Sequence, residues 1–95
     1  MSDVNVVDNP ARHRYEARID GEVAGFAEYR VRPDRIIFTH TEVDPAFEGR
    51  GVGSALAAGA LADVRAKGLA VLPKCPFIAE YIGRHPEYAA LVAAS

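Results

Sequence analysis

The hydrophobic pattern of this chain changes period at one place, the segment Glu48-Gly49-Arg50-Gly51-Val52-Gly53. Ahead of it apolar and polar residues alternate, which is the pattern of half-buried strands, and behind it apolar residues recur at helical spacing. Over residues 12–20, His13, Tyr15, Ala17 and Ile19 fall on one side and Arg12, Arg14, Glu16, Arg18 and Asp20 on the other. Asp20-Gly21 is a strong hairpin signal. The next run alternates again, with Val23, Gly25, Ala27, Tyr29 and Val31 opposite Glu22, Phe26, Glu28 and Arg30. A turn at Arg32-Pro33-Asp34-Arg35 leads into a strand over 36–43, and a short strand over 4–8 is expected to precede the set. The first half therefore reads as an antiparallel meander.

From 51 to 67, Val52, Ala55, Leu56, Gly59, Ala60 and Val64 form a helical stripe, and Gly68 supplies a positive-φ stop. Ala57, Ala58, Leu61 and Ala62 keep the other side nearly apolar, so this helix is expected to touch something besides the sheet, either the C-terminal helix or a second copy of the chain. Residues 69–73 read as a short strand buried on both faces. Strand, helix and strand imply a right-handed parallel crossover, so the carboxyl ends of 36–43 and 69–72 lie on one sheet edge. Pro76 suits the first turn of a helix to about 84, and Pro86 interrupts it before a terminal helix to about 93. The fold class expected is α+β, a single domain over 1–95.

With 25% charged and 49% hydrophobic residues the composition is that of a soluble globular protein, and no apolar run is long enough for a membrane span. The N-terminus carries no export signal and a lone cysteine forms no internal disulfide, so the cytoplasm is the expected compartment. A net charge of −2 gives no general attraction to nucleic acid. Arg12, Arg14, Arg18, Arg30, Arg32 and Arg35 precede Ile36, but Glu16, Asp20, Glu22, Glu28 and Asp34 are interleaved with them, which reads as a solvated sheet face. His13 and His85 are too scattered for a zinc site, and no metal is expected.

The glycine segment lies between a strand and a helix, where glycines let a ligand approach the main chain and the free N–H groups and helix dipole favour an anion. It is not a dinucleotide fingerprint, because Ser54 stands where the third glycine belongs, and it is not a P-loop, because no Gly-Lys-Ser/Thr follows. The parallel pair sets Lys74-Cys75-Pro76 on the same edge as this loop. Cys75 precedes a helix whose free N–H groups suit an anionic nucleophile; the plainer reading is a small buried hydrophobe. His40 and Glu42, two apart on a strand, share a face and can cooperate in removing a proton, and either could be the base. Lys74 reads as an exposed lysine within reach of a phosphate, and Tyr81 and Tyr88 as packing residues, Tyr81 being within reach of the thiol region.

The loop resembles motif A of the GNAT superfamily of N-acetyltransferases, Arg/Gln-x-x-Gly-x-Gly/Ala. His40-Thr41-Glu42-Val43 before it, with Cys75-Pro76-Phe77 and Arg84-His85-Pro86-Glu87-Tyr88 after it, looks like the small cysteine-containing branch of that superfamily. The resemblance implies transfer of an acyl group from acetyl-CoA to an amine. It implies pyrophosphate held by the N–H groups of Arg50, Gly51, Val52, Gly53 and Ser54, and pantetheine along Thr41 to Val43. Cys75 would then accept the acyl group as nucleophile or protonate the leaving thiolate, with His40 or Glu42 as base. Glu48 departs from the motif by adding a negative charge beside the pyrophosphate. The chain also lacks the paired helices that usually wall the acceptor site, so that site is open in a monomer or completed in a homodimer. The alternative is a module that binds coenzyme A or its acyl esters without turnover.

Overall fold

The computed structural model describes residues 4–93. Five strands, β1 (Asn5–Asn9), β2 (Arg14–Ile19), β3 (Glu22–Val31), β4 (Arg35–Val43) and β5 (Ala70–Pro73), form one sheet in the order β1-β2-β3-β4-β5. The first four are antiparallel and β5 runs parallel to β4. Helix α1 (Val52–Ala66) makes the crossover and α2 (Pro76–Arg84) follows β5. This is the α+β meander and βαβ unit that the periodicity predicts.

The β2–β3 hairpin is a two-residue turn in which Asp20 (φ 51°) and Gly21 (φ 82°) both take positive φ, the backbone twist that a tight hairpin requires. Two β-bulges then decide which residues face the core. Opposite β2, Ala17 pairs with Gly25 and Arg18 with Val23, so Ala24 is the extra residue. Ala24 is buried and Val23 exposed, the reverse of the alternation expected for Val23. Between β3 and β4, Glu28 pairs with His40 and Tyr29 with Phe38, which makes Thr39 the extra residue. A bulge shifts the strand's alternation by one. Ile36 and Phe38 are therefore buried, Thr41 and Val43 continue their side, and His40 and Glu42 point to the other.

Helix α1 covers one face of the sheet with Val52, Leu56, Ala57, Ala60, Leu61 and Val64. Beneath it Tyr15, Tyr29 and Phe38 pack with ring centroids 5.4 to 6.5 Å apart. The two tyrosine hydroxyls reach carboxylates at the rim, Tyr15 donating to Asp63 and Tyr29 to Asp8, both at 2.5 Å. Lys67 Nζ joins those carboxylates at 2.8 and 2.9 Å. Burial pushes both phenols up, helped by these carboxylates, while Lys67 and Tyr15 hold Asp63 below its usual range. Of the residues on the side of α1 expected to need a partner, Ala57 and Leu61 are buried within the chain, Ala58 is half-buried and Ala62 is exposed, while Gly59 packs against Val6 of β1 and Gly53 against Phe77 of α2.

Besides Val23, the structure departs from three expectations. His13 does not join the inward row: Pro10–Arg12 forms a 3₁₀ turn and His13 ends it, exposed, at φ 53°. In β5 only Val71 is fully buried and its neighbours are half-buried, because α1 covers a single face of the sheet. The terminal helix is a 3₁₀ segment, Pro86–Leu91, since Pro86 has no N–H to continue an α-helix. Beyond it Ala93 N donates to Val71 O at 2.7 Å, tying the chain to the free edge of β5.

On the face of the sheet away from α1, the Glu16 side chain is only 2% exposed and is enclosed by Arg14 (2.8 Å), Arg18 (2.6 Å) and Asn9 (3.1 Å). Burial alone would raise its pKa, but these partners bring it from the ordinary 4.5 down to about 2. Because the folded value lies below the unfolded one, the stabilisation is complete above about pH 4.5 and is lost as pH falls towards 2. Glu16→Gln is expected to lower stability near neutral pH by roughly 3 kcal/mol, with urea midpoints of the two proteins converging in acid.

Candidate active site

Where β4 ends, Asp44 N donates to Ala24 O at 2.8 Å, and the Asp44 carboxylate accepts from Ala46 N at 2.9 Å to cap a 3₁₀ turn, Pro45–Phe47. The chain then reverses through Gly49 (φ 80°) and Gly51 (φ 72°), conformations that glycine adopts without strain. Gly51 is the N-cap of α1 and has no side chain with which to cap it. The first helical donor with a partner is Ala55 N, bonded to Gly51 O at 3.0 Å. The N–H groups of Arg50, Gly51, Val52, Gly53 and Ser54 have no acceptor among the described residues. Five such donors at a helix start are a cradle for an anion. Arg50 adds a guanidinium to the loop, lying 5.6 Å from the centroid of the Phe47 ring.

Beside this loop the parallel strands part. β5 pairs with β4 only from Arg35 to Phe38, so residues 39–43 have no strand partner on that side among the described residues. At the fork Cys75 N donates to Phe38 O at 2.9 Å, and Cys75 Sγ donates to Thr41 Oγ1 at 3.2 Å. Cys75 is the N-cap of α2 and 3% exposed, with Pro76 as the first helical residue. The thiol is thus buried, as the plain reading had it, and it also stands at the root of the splay. Gly53 lets the Phe77 ring reach α1, since a Cβ there would lie 2.7 Å from the ring, and this contact closes the first turns of the two helices against each other.

His40 and Glu42 do meet, Nε2 to Oε2 at 3.3 Å, with 54% and 61% of their side chains exposed. They lie on the opposite face of β4 from Thr41, so the His40–Glu42 pair and the thiol flank the strand from two sides. At that end of the sheet a depression of about 330 Å³ is lined by Phe26, Glu42, Asp44 and Arg14 among others. Phe26 stacks under Arg14 at 4.5 Å and lies 6.3 Å from the His40 ring. Phe26 and Arg14 were not singled out as site residues from the chain alone. The signal was there: Phe26 is an aromatic on the polar side of β3, between Glu22, Glu28 and Arg30. Tyr81 is occupied elsewhere, stacked on His85 at 3.9 Å and 6.1 Å from Tyr88; burial raises its hydroxyl pKa. Lys74 is exposed between β5 and α2.

One glycine sets how closely β3 approaches the site. A Cβ on Gly25 would lie 2.8 Å from Glu42 O and 3.2 Å from Val52 Cγ1, and the first of these is backbone, which cannot swing aside. Gly25→Ala is expected to destabilise the protein by about 2 kcal/mol through overpacking and to move Glu42 together with the start of α1. The midpoint of thermal melting should therefore fall.

A family model described as GCN5-related N-acetyltransferase matches residues 14–91, which include the glycine loop, His40, Glu42 and Cys75. The solution structure of a GCN5-like protein from Staphylococcus aureus is similar over 100% of this chain and 93% of its own, at 20% identity and a TM-score of 0.71. The crystal structure of ribosomal-protein-alanine N-acetyltransferase from Brucella melitensis biovar Abortus 2308 is similar over 86% of this chain and 63% of its own, at 19% identity and a TM-score of 0.58. No curated protein matches the chain in sequence. At these identities the two structures establish a shared fold, and the family match spans most of the chain: it belongs to the GCN5-related N-acetyltransferases.

Proposed function

We propose that the protein transfers an acetyl group from acetyl-CoA to an amine by direct attack, with the loop of Arg50 to Ser54 holding the pyrophosphate. The observation that carries this reading is the run of five unpartnered N–H groups opening onto a fork between β4 and β5 that has the Cys75 thiol at its root. The fit to coenzyme A is chemical: an uncapped helix start for a dianion, a guanidinium at Arg50, and an unpaired strand edge at 39–43 along which an amide-bearing pantetheine can pair.

In this reading the amine approaches His40 and Glu42 from the exposed face of β4 and loses its proton to that pair as its nitrogen bonds the acetyl carbon. Cys75 gives its proton to the departing sulfur as the thioester C–S bond breaks. Cys75 acts as an acid in this scheme because its Sγ donates a hydrogen bond to Thr41 Oγ1, which is the thiol form that carries the proton the leaving sulfur needs. A non-catalytic module that only binds acyl-CoA is favoured by Glu48, whose carboxylate follows the 3₁₀ turn directly into the loop. Incubation with acetyl-CoA and a panel of amines separates the two: acetylated amine with stoichiometric free thiol supports the transferase, and calorimetric binding without release of thiol supports the module.

A further inference from the structure

The arginines grouped ahead of Ile36 in the sequence have different fates in the fold. Arg14 and Arg18 close on Glu16, and Arg35 meets Asp34 at 3.2 Å. The guanidinium groups of Arg12 and Arg30 have no partner among the described residues, and that of Arg32 donates only to the carbonyl of Val31, at 3.2 Å. These three groups and His13 line a single depression of about 400 Å³ at the end of β3, whose wall also contains Glu28 and Thr39. Arginines scattered over a surface are satisfied by water. Three in one concavity, facing one carboxylate, leave an excess of positive charge that an anion relieves, and the planar fork of arginine matches a phosphate with paired donors.

The position of the depression gives this charge a use. Glu28 stands opposite His40 in the β3–β4 ladder, and Thr39 is its neighbour in the chain. The wall of the depression thus begins one strand position from the pair that takes up the amine's proton. Arg30 and Arg32 follow Glu28 by two and four residues, which is roughly 7 to 13 Å along a strand. We infer that Arg12, Arg30 and Arg32 hold the anionic end of the acceptor, so that the acceptor is an amine carrying a phosphate monoester about 7 to 13 Å from its nitrogen. The inference rests on the transferase reading for the amine and on the arginine cluster alone for the phosphate. A polycationic acceptor would be repelled by the same cluster.

The test uses 6-aminohexyl phosphate and 6-aminohexanol as acceptors with acetyl-CoA. The phosphate is expected to have kcat/KM higher by roughly tenfold, and the exposed double variant Arg30→Ala/Arg32→Ala is expected to bring that ratio to about one. In parallel, titration of the labelled protein with 6-aminohexyl phosphate alone should shift the amide resonances of Arg30, Arg32 and Thr39 in the wild type and not in the variant. Equal kcat/KM for the two amines, with no shifts at these amides, overturns the anion site while leaving the transferase reading intact. Shifts that vanish in the variant, with no amine acetylated, keep the anion site and overturn its assignment to an acceptor together with the transferase reading.

Discussion

Replacing Cys75 with alanine is expected to lower kcat by about 100- to 10,000-fold while leaving the affinity for coenzyme A within about twofold. The separation follows from where the thiol sits. Its Sγ touches Thr41 Oγ1 at 3.2 Å at the root of the fork, while the donors assigned to the pyrophosphate belong to the backbone of the loop and first turn of α1. Cys75 caps α2 by position and not by a side-chain hydrogen bond, so alanine leaves the helix start intact, and the small space it opens lowers stability by about 1 kcal/mol. Cys75→Ser keeps an O–H that can reach Thr41 but is a far weaker acid, and should rank between the two. Unchanged kcat in Cys75→Ala would remove the thiol from the mechanism and return it to the core.

The second large effect concerns the exposed pair. Glu42→Gln and His40→Ala are each expected to reduce acceptor kcat/KM by about 100-fold. The double variant should be scarcely worse than either one, because two groups that move one proton together fail together. Both side chains are more than half exposed, so thermal stability should stay within about 0.5 kcal/mol of wild type, and a loss of activity cannot be blamed on unfolding. Multiplied losses in the double variant would mean that the residues act separately; full activity in both single variants would move the base elsewhere on the face.

The features legible from the chain are local. The Asp20-Gly21 turn, the glycine cap of α1 with its stop at Gly68, and the Cys75-Pro76 start of α2 each follow from what one or two residues permit their own backbone to do. The meander and the parallel crossover followed from the change of period. What was hidden depends on pairing between strands. The bulges at Ala24 and Thr39 leave no local mark, yet the second one sets Thr41 beside Cys75 and turns His40 and Glu42 to the other face. That His40 and Glu42 would meet was readable because both follow the bulge. The burial of Glu16 was hidden for a related reason: a strand carboxylate reads as solvated until Arg14 and Arg18, two residues either side of it on β2, and Asn9 of the adjacent strand β1 are seen to close over it.

In the proposed function the uncapped start of α1 takes the pyrophosphate of coenzyme A and the fork beside it takes the pantetheine. Titrating coenzyme A into the ¹⁵N-labelled protein tests it directly. Saturable shifts are expected for the amides of Arg50 to Ser54, accompanied by those of Thr41 to Val43. Resonances of these residues that stay in place at millimolar ligand, or shifts confined to other parts of the sheet, would contradict it.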